Sequence, residues 1–382
     1  MKKILFISNG TKSSIDADLD NLKLDGVYVP CIKALNENKY KIFAGINNNN
    51  INYLHTKEKI NYFNQMVYRS IFNMKDNFKA YKNLNNLLKR EKIDIIHCNT
   101  PIGGVLGRLC GKKNNVKKII YTVHGFHFYR GNNVLKNFIF KTAERFLARY
   151  TDVIITLNSE DYAAAQNFKL KKGGKVYYLP GIGIEIKSFK IKDFDRVSYR
   201  KKLGFNENDI VCMAIGDLNH NKNFSLCIKA IAETKMKNIH LIICGVGDLQ
   251  KELEELSVKL DIKNQIHFYG FRNDIKELLN TSDIFLISSY REGLSRALME
   301  AMSAGLPCIA SNIRGNVDLI DDKLGGFLLP CNDYIVWSEK ILELSKNSKL
   351  RRKMGQENLN KIKKFDLDIV VQNLKQIYDE VL

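Results

Sequence analysis

Four clusters of polar residues follow apolar runs and carry groups that chemistry uses. In REGLSRALMEAM, Arg291 to Met302, two carboxylates, Glu292 and Glu300, stand eight residues apart across a Gly-Leu-Ser turn. At helical pitch that is a little over two turns, which predicts one carboxylate before a helix and the other two turns inside it. A carboxylate accepts paired hydrogen bonds from vicinal hydroxyls. Two at this spacing suit two parts of one elongated ligand, a ribose and a sugar. Phosphates would lie between them, against the free amides at the helix start. Glutamates in turns and on solvated helix faces are also ordinary, so this pair alone decides nothing.

The second cluster is GDLNHNKN, Gly216 to Asn223, where Lys222 stands near the start of the helix-like NFSLCIKAIAE and can meet phosphate oxygens with a compact positive charge. The third is CGVGDL, Cys244 to Leu249, with Gly245. Gln250 occupies the place of the third glycine of G-x-G-x-x-G, so a dinucleotide fingerprint is a poor reading. The fourth is YTVHGFHFYRG, Tyr121 to Gly131, with His124 and His127 three residues apart. That pair suits acid-base chemistry or a metal, but the sequence offers no third ligand.

The elements that must position these residues form an alternation given twice. KILFIS, KIFAG, IDIIHC, KIIYTV, DVIITL and VYYL precede residue 190; IVCMAIG, IHLIICG, QIHFYG, DIFLIS, PCIAS and GFLL follow it. Nearly continuous β-branched runs separated by helix-like segments predict parallel strands covered on both faces, hence two doubly wound α/β domains. A chain of 382 residues also exceeds what one core usually serves. We place the linker in Pro180 to Arg200, giving domains at 1–185 and 186–365, and expect the amphipathic helix 366–382 to pack back on the first. A basic, aromatic helical insertion is expected at 57–91. In such folds ligands bind beyond the carboxyl ends of the strands, where all four clusters lie.

Composition narrows the partners. With 45% hydrophobic and 26% charged residues the chain is globular, and no apolar run approaches the ~18 residues of a spanning helix. The first apolar run is too short for a secretory signal. The eight scattered cysteines include no C-x-x-C pair, which fits reduced thiols in cytoplasm. A net charge of +19 would suit nucleic acid, an anionic membrane or phosphorylated substrates, and also follows from a bias toward Lys, Asn and Ile. No zinc-finger spacing, RNP-like motif or arginine-rich arm supports nucleic acid.

Together these residues resemble glycosyltransferase family 4, retaining enzymes of GT-B fold that use nucleotide-sugar donors. SSYREGLSRALMEAMSAGLPCIASNIRGNVDLI, 288–320, is similar to the family's E-x7-E donor site and the strand after it. GDLNHNKN, ICGVGDL, HFYGFRNDI, YTVHGFHF and PGIGI follow the family's order, and the likeness is greatest to the capsule and exopolysaccharide branch. The resemblance implies that Glu300 holds the ribose and Glu292 the donor sugar, with the amides of Gly293, Leu294 and Ser295 around the pyrophosphate and Gly216 and Gly245 also donor-binding. Lys222 would meet phosphate, Phe271 and Arg272 the base, and His124 the anomeric centre. Gly10, His127 and Arg130 would lie on the acceptor side. One departure stands out: Asp217 occupies a position usually basic, so that Arg296 or Arg314 would cover the phosphate or its binding would weaken.

The implied reaction is front-face transfer with retention, without a cofactor or metal, from a UDP-sugar donor to a glycan or lipid-linked acceptor. DxD-like triplets at 16–18, 18–20, 193–195 and 366–368 would suit a metal-dependent GT-A enzyme, but the double alternation contradicts that fold. A nucleotide-sugar 2-epimerase and a non-catalytic sugar-nucleotide-binding subunit remain as alternatives. A further expectation concerns NVLKNFIFKTAERFLARY, Asn133 to Tyr150. Phe138, Ile139, Phe140, Phe146 and Leu147 share this helix with Lys136, Lys141, Arg145 and Arg149, a pattern that docks on an anionic bilayer or buries one face against a sheet. The expected location is therefore cytoplasmic, peripheral on the inner face of the plasma membrane.

Overall fold

The computed structural model describes residues 1–9, 26–35, 39–47, 53–55, 60–65, 67 and 73–382. The chain divides into two units, Met1–Gly183 with Leu367–Leu382, and Ile184–Asp366.

The first unit is built on an eight-stranded sheet, in spatial order Tyr53–His55, Ile60–Asn64, Tyr40–Ile46, Lys2–Ile7, Ile95–Asn99, Lys118–Val123, Val153–Thr156 and Lys175–Tyr178. All neighbours are parallel except the first pair, which is antiparallel. The expected insertion at 57–91 is thus corrected. Its first part is the strand Ile60–Asn64, and the helix covers only Met74–Glu91. INYFN does not read as a buried strand because Asn61 interrupts it. Inside the sheet, Asn61 is buried and its side chain donates to the Ile42 carbonyl at 2.9 Å, which removes the penalty.

The helix Leu367–Val381 belongs to this unit. It buries Val370, Leu374, Ile377 and Tyr378 with Ile4, Phe6, Ile95 and Ile120. On the other face, the helix Pro101–Lys113 approaches the sheet closely enough that a Cβ on Gly107 would stand 2.2 Å from the Cys98 sulfur.

The second unit has six parallel strands in the order Ile266–Gly270, Ile239–Cys244, Ile210–Ile215, Ile284–Ile287, Cys308–Ser311 and Gly326–Leu329. All six were legible as apolar runs because both faces of this sheet are covered: Cys212, Ala214, Leu241, Ile243 and Leu286 pack on one side, Val211, Met213, Ile242 and Phe285 on the other. Strand order reverses between Ile210–Ile215 and Ile284–Ile287, and in the first sheet between Lys2–Ile7 and Ile95–Asn99. Chain connections diverge at such points and open a crevice at the carboxyl ends.

Candidate functional site

In the second unit the strand Ile210–Ile215 ends in Gly216, and the neighbouring strand Ile284–Ile287 ends in Ser288 and Ser289. Between them runs the loop that carries Lys222, in a 3-10 turn His220–Lys222 capped by the Asn219 side chain. Asn223 follows in the left-handed region at φ +52°, which short polar side chains tolerate, and starts the helix Phe224–Glu233. The Ser288 hydroxyl is 2.9 Å from both the Lys222 and Asn223 carbonyls. Asn223 Nδ2 in turn donates to the Cys331 carbonyl at 2.8 Å. The backbone that carries this lysine is therefore fixed.

Its ammonium meets Glu292 Oε1 at 2.7 Å, with the side chains only 20% and 13% exposed. A pair so withdrawn from water is screened less than a surface pair. The two loops are also bonded through their backbones: Tyr290 N donates to the Asn221 carbonyl at 2.8 Å, and Asn221 Nδ2 to the Arg291 carbonyl at 3.0 Å. Arg314, itself buried, donates through Nε to the Glu292 carbonyl at 3.3 Å. Gly315 at φ +83° closes the same turn, since a Cβ there would stand 2.4 Å from the Gly293 oxygen.

The helix is Arg296–Ser303, capped by the Ser295 hydroxyl, which accepts from Leu298 N at 3.3 Å. Its first residue is Arg296, so Glu300 lies a little over one turn inside it rather than two. Gly293 and Leu294 belong to the preceding turn. Glu300 pairs with Arg296 at 3.0 Å, and burial holds its carboxyl above the usual carboxylate range against the opposing pull of Arg296.

Gly216 and Gly245 form a floor under this loop. Their φ angles are +154° and +150°, and a Cβ on Gly245 would stand 1.9 Å from the Gly216 oxygen. A Cβ on Gly216 would reach the Lys222 stem at 2.9 Å. Asp217, at the position the resemblance expects to be basic, is exposed. Of the two candidate replacements, Arg296 is engaged with Glu300 and Arg314 with the Glu292 turn.

Phe271 and Arg272 follow a different strand, Ile266–Gly270. Phe271 is 78% exposed, an aromatic face open to a planar ligand. Arg272 is held by Asp274, Nε to Oδ1 at 2.7 Å, and this guanidinium pulls the Asp274 carboxyl down to about 2.

In the first unit, His124 lies just past the strand Lys118–Val123, and its Nε2 is 3.1 Å from Asn99 Oδ1. Beside it the sheet's reversal point carries a group of residues that sequence reasoning missed. Asn9 N donates to Thr100 Oγ1 at 2.7 Å, Gly103 N donates to Asn9 Oδ1 at 2.8 Å, and Thr100 has φ +63°. Asn99 Nδ2 is buried without a partner. Asn and Thr are common types, so only the Thr-Pro step after an apolar run hinted at them. The His127 ring packs against Phe140 at 5.3 Å. Arg130 is exposed, and its backbone N donates to Glu160 at 3.0 Å. Gly10 and the Asp triplets at 16–18 and 18–20 lie outside the described residues. Among the described residues no group of three His, Cys, Asp or Glu side chains is placed to hold a metal, and no helix is long and apolar enough to cross a membrane.

Comparison with known proteins covers both units. Residues 195–361 match the family model "Glycosyl transferases group 1", and residues 6–158 match "Glycosyl transferase 4-like". EpsD of Bacillus subtilis (strain 168), which carries a glycosyltransferase assignment, is 34% identical over 79% of this chain and 80% of its own. The Escherichia coli UDP-Gal:alpha-D-GlcNAc-diphosphoundecaprenol alpha-1,3-galactosyltransferase is 32% identical over 84% of each chain. Among solved structures, Anabaena Alr3699/HepE in complex with UDP and glucose aligns over 100% of both chains with TM-score 0.77 at 17% identity. Sucrose-phosphate synthase from Thermosynechococcus elongatus aligns over 100% of this chain and 99% of its own, with TM-score 0.80 at 16% identity. Those structures share the fold, two Rossmann-like units of GT-B type, and the sequence matches decide the family: this chain is a glycosyltransferase of group 1, with a glycosyl transferase 4-like first unit.

Proposed function

We propose that the chain transfers a sugar, with retention, from a UDP-sugar to a lipid-linked acceptor in surface polysaccharide synthesis. The observation that carries this reading is the Lys222–Glu292 pair at the reversal point of the second sheet, with Glu300 on the following helix. Lys222 and the amides near Ser295 are suited to a diphosphate, Glu300 to ribose hydroxyls and Glu292 to the donor sugar. The donor and acceptor classes are supported by the E. coli relative, whose name gives UDP-Gal and a diphosphoundecaprenol acceptor. A Campylobacter jejuni relative, 24% identical over 93% of this chain, is named for another diphospho-undecaprenol acceptor.

In this reading the leaving phosphate takes the proton of the incoming hydroxyl on the face it departs from. Lys222 and the helix start stabilise its charge. The chemistry asks for no metal.

Thermal shift with UDP and UDP-sugars tests the donor; saturation at 100 times Kd adds about 2.7 kcal/mol. Glu300→Gln should weaken UDP-sugar binding about tenfold or more, since a charge-assisted hydrogen bond contributes roughly 1.5–3 kcal/mol. Transfer to a polyprenyl-diphosphate sugar should persist in excess EDTA and give a product of the donor's anomeric configuration. Unchanged affinity in Glu300→Gln removes the assigned site. Donor epimerisation without acceptor, or activity that EDTA abolishes and Mn²⁺ restores, overturns the reaction as written.

A further inference from the structure

The helix Val134–Ala148 buries only Leu147 and Ala148, at its last turn. Its less exposed line runs through Asn137, Phe140, Lys141, Glu144, Leu147 and Ala148, three and four residues apart. The polar and aromatic members of that line are engaged: Asn137 exchanges hydrogen bonds with the Tyr129 backbone at 3.1 and 2.9 Å, Phe140 meets His127, and Glu144 receives the buried Arg108 at 2.8 Å. The opposite line is also apolar. Val134, Leu135, Phe138, Ile139 and Phe146 are 84%, 67%, 68%, 54% and 49% exposed. A helix with a satisfied inner face and a second large apolar face has something left to cover.

Charge identifies what covers it. Lys136, Arg145 and Arg149 are exposed on this helix, and Lys112 of the neighbouring helix lies over Tyr150 at 5.9 Å. The helix's only acid, Glu144, is turned inward to Arg108. A second copy of the chain would set these like charges against each other; an anionic bilayer complements them while accepting the apolar side chains. We infer that this face of the first unit docks on an anionic lipid surface, with Leu135, Phe138, Ile139 and Phe146 inserted at the headgroup boundary and Lys136, Arg145 and Arg149 against the headgroups. Through Asn137 and Phe140 the docked helix also braces the segment Phe126–Asn132 that follows His124.

Co-sedimentation tests this with phosphatidylcholine vesicles, with and without phosphatidylglycerol, at low and high salt. The full chain should sediment with the anionic vesicles at low salt and be released by high salt. Lys136→Glu/Arg145→Glu/Arg149→Glu should partition roughly a hundredfold more weakly, from on the order of fivefold per basic residue. Phe138→Ser/Ile139→Ser should lose about tenfold at unchanged charge. Both sets replace exposed residues, so the thermal midpoint and UDP binding should stay those of the unaltered chain, which separates this surface from the donor site. The inference is overturned if the unaltered chain stays in the supernatant at low salt, if both variants bind as it does, or if light scattering shows a dimer that Phe138→Ser/Ile139→Ser abolishes without vesicle binding.

Discussion

At the scale of single residues, the Lys222–Glu292 pair bears directly on the proposed donor site. On that proposal the cation assigned to phosphate is held by the carboxylate assigned to the sugar, so an incoming diphosphate would compete with Glu292 for the same ammonium. Two substitutions separate these roles by titration calorimetry. Lys222→Met should weaken UDP roughly tenfold or more, because it removes the phosphate partner and leaves Glu292 largely buried without its cation. Glu292→Gln frees the ammonium, so UDP should bind at least as well as before while the extra affinity of a UDP-sugar over UDP is lost. Equal weakening of UDP and UDP-sugar by Glu292→Gln would remove the sugar role. Glu292 and Lys222 were legible as charged residues in loops that follow apolar runs, and Glu300 from its eight-residue spacing to Glu292. Arg314 and Asn223 were not assigned their positions by type: one reaches Glu292 from another loop, and the other depends on a left-handed backbone angle.

At the scale of elements, twelve of the described strands could be read as apolar runs, and the Tyr53–His55 and Ile60–Asn64 pair could not. Strands at the margin of a sheet have less need of continuous apolar sequence, and here buried Asn61 replaces an apolar residue. The helix that carries Glu300 starts where the sequence places it, at the Ser295 cap, but the turn before it is held by Gly315 and Arg314, distant in sequence. Glycine placement can be tested directly. Gly245→Ala puts a Cβ 1.9 Å from a backbone oxygen, whereas Gly173→Ala, also at positive φ, meets nothing within 4 Å. Left-handed strain alone costs about 1–2 kcal/mol, so denaturant unfolding should show Gly245→Ala losing at least about 2 kcal/mol more than Gly173→Ala. Equal losses would mean that the floor beneath Lys222 yields easily.

At the scale of the whole chain, the first unit is discontinuous, and its two pieces meet at a titratable group. His97 is fully buried; Nδ1 lies 2.7 Å from the Tyr378 hydroxyl on the returning helix, and Nε2 lies 2.7 Å from Thr122 Oγ1. Burial first, and nearby His124 second, pull its pKa down to about 3. A base depressed in the folded state contributes stability above its unfolded pKa, near 6.5, and that contribution is lost as pH falls toward 3. Between those limits His97 should make unfolding easier by roughly 1 kcal/mol per pH unit. Denaturant midpoints from pH 7 to pH 4 should fall less steeply in His97→Gln than in the unaltered chain, and parallel slopes would show that this imidazole does not govern acid sensitivity.

The same discontinuity separates the order of synthesis from the order of completion. A ribosome emits Met1–Gly183 first, then all of Ile184–Asp366, and only afterwards the helix Leu367–Val381 that covers Ile4, Phe6, Ile95 and Ile120. The earlier-made sheet therefore leaves the exit tunnel with one apolar face only partly covered, by the segment around Cys31 and Leu35, and stays so while the later-made unit is translated. Its closure is a long-range event, made across the length of an intervening domain.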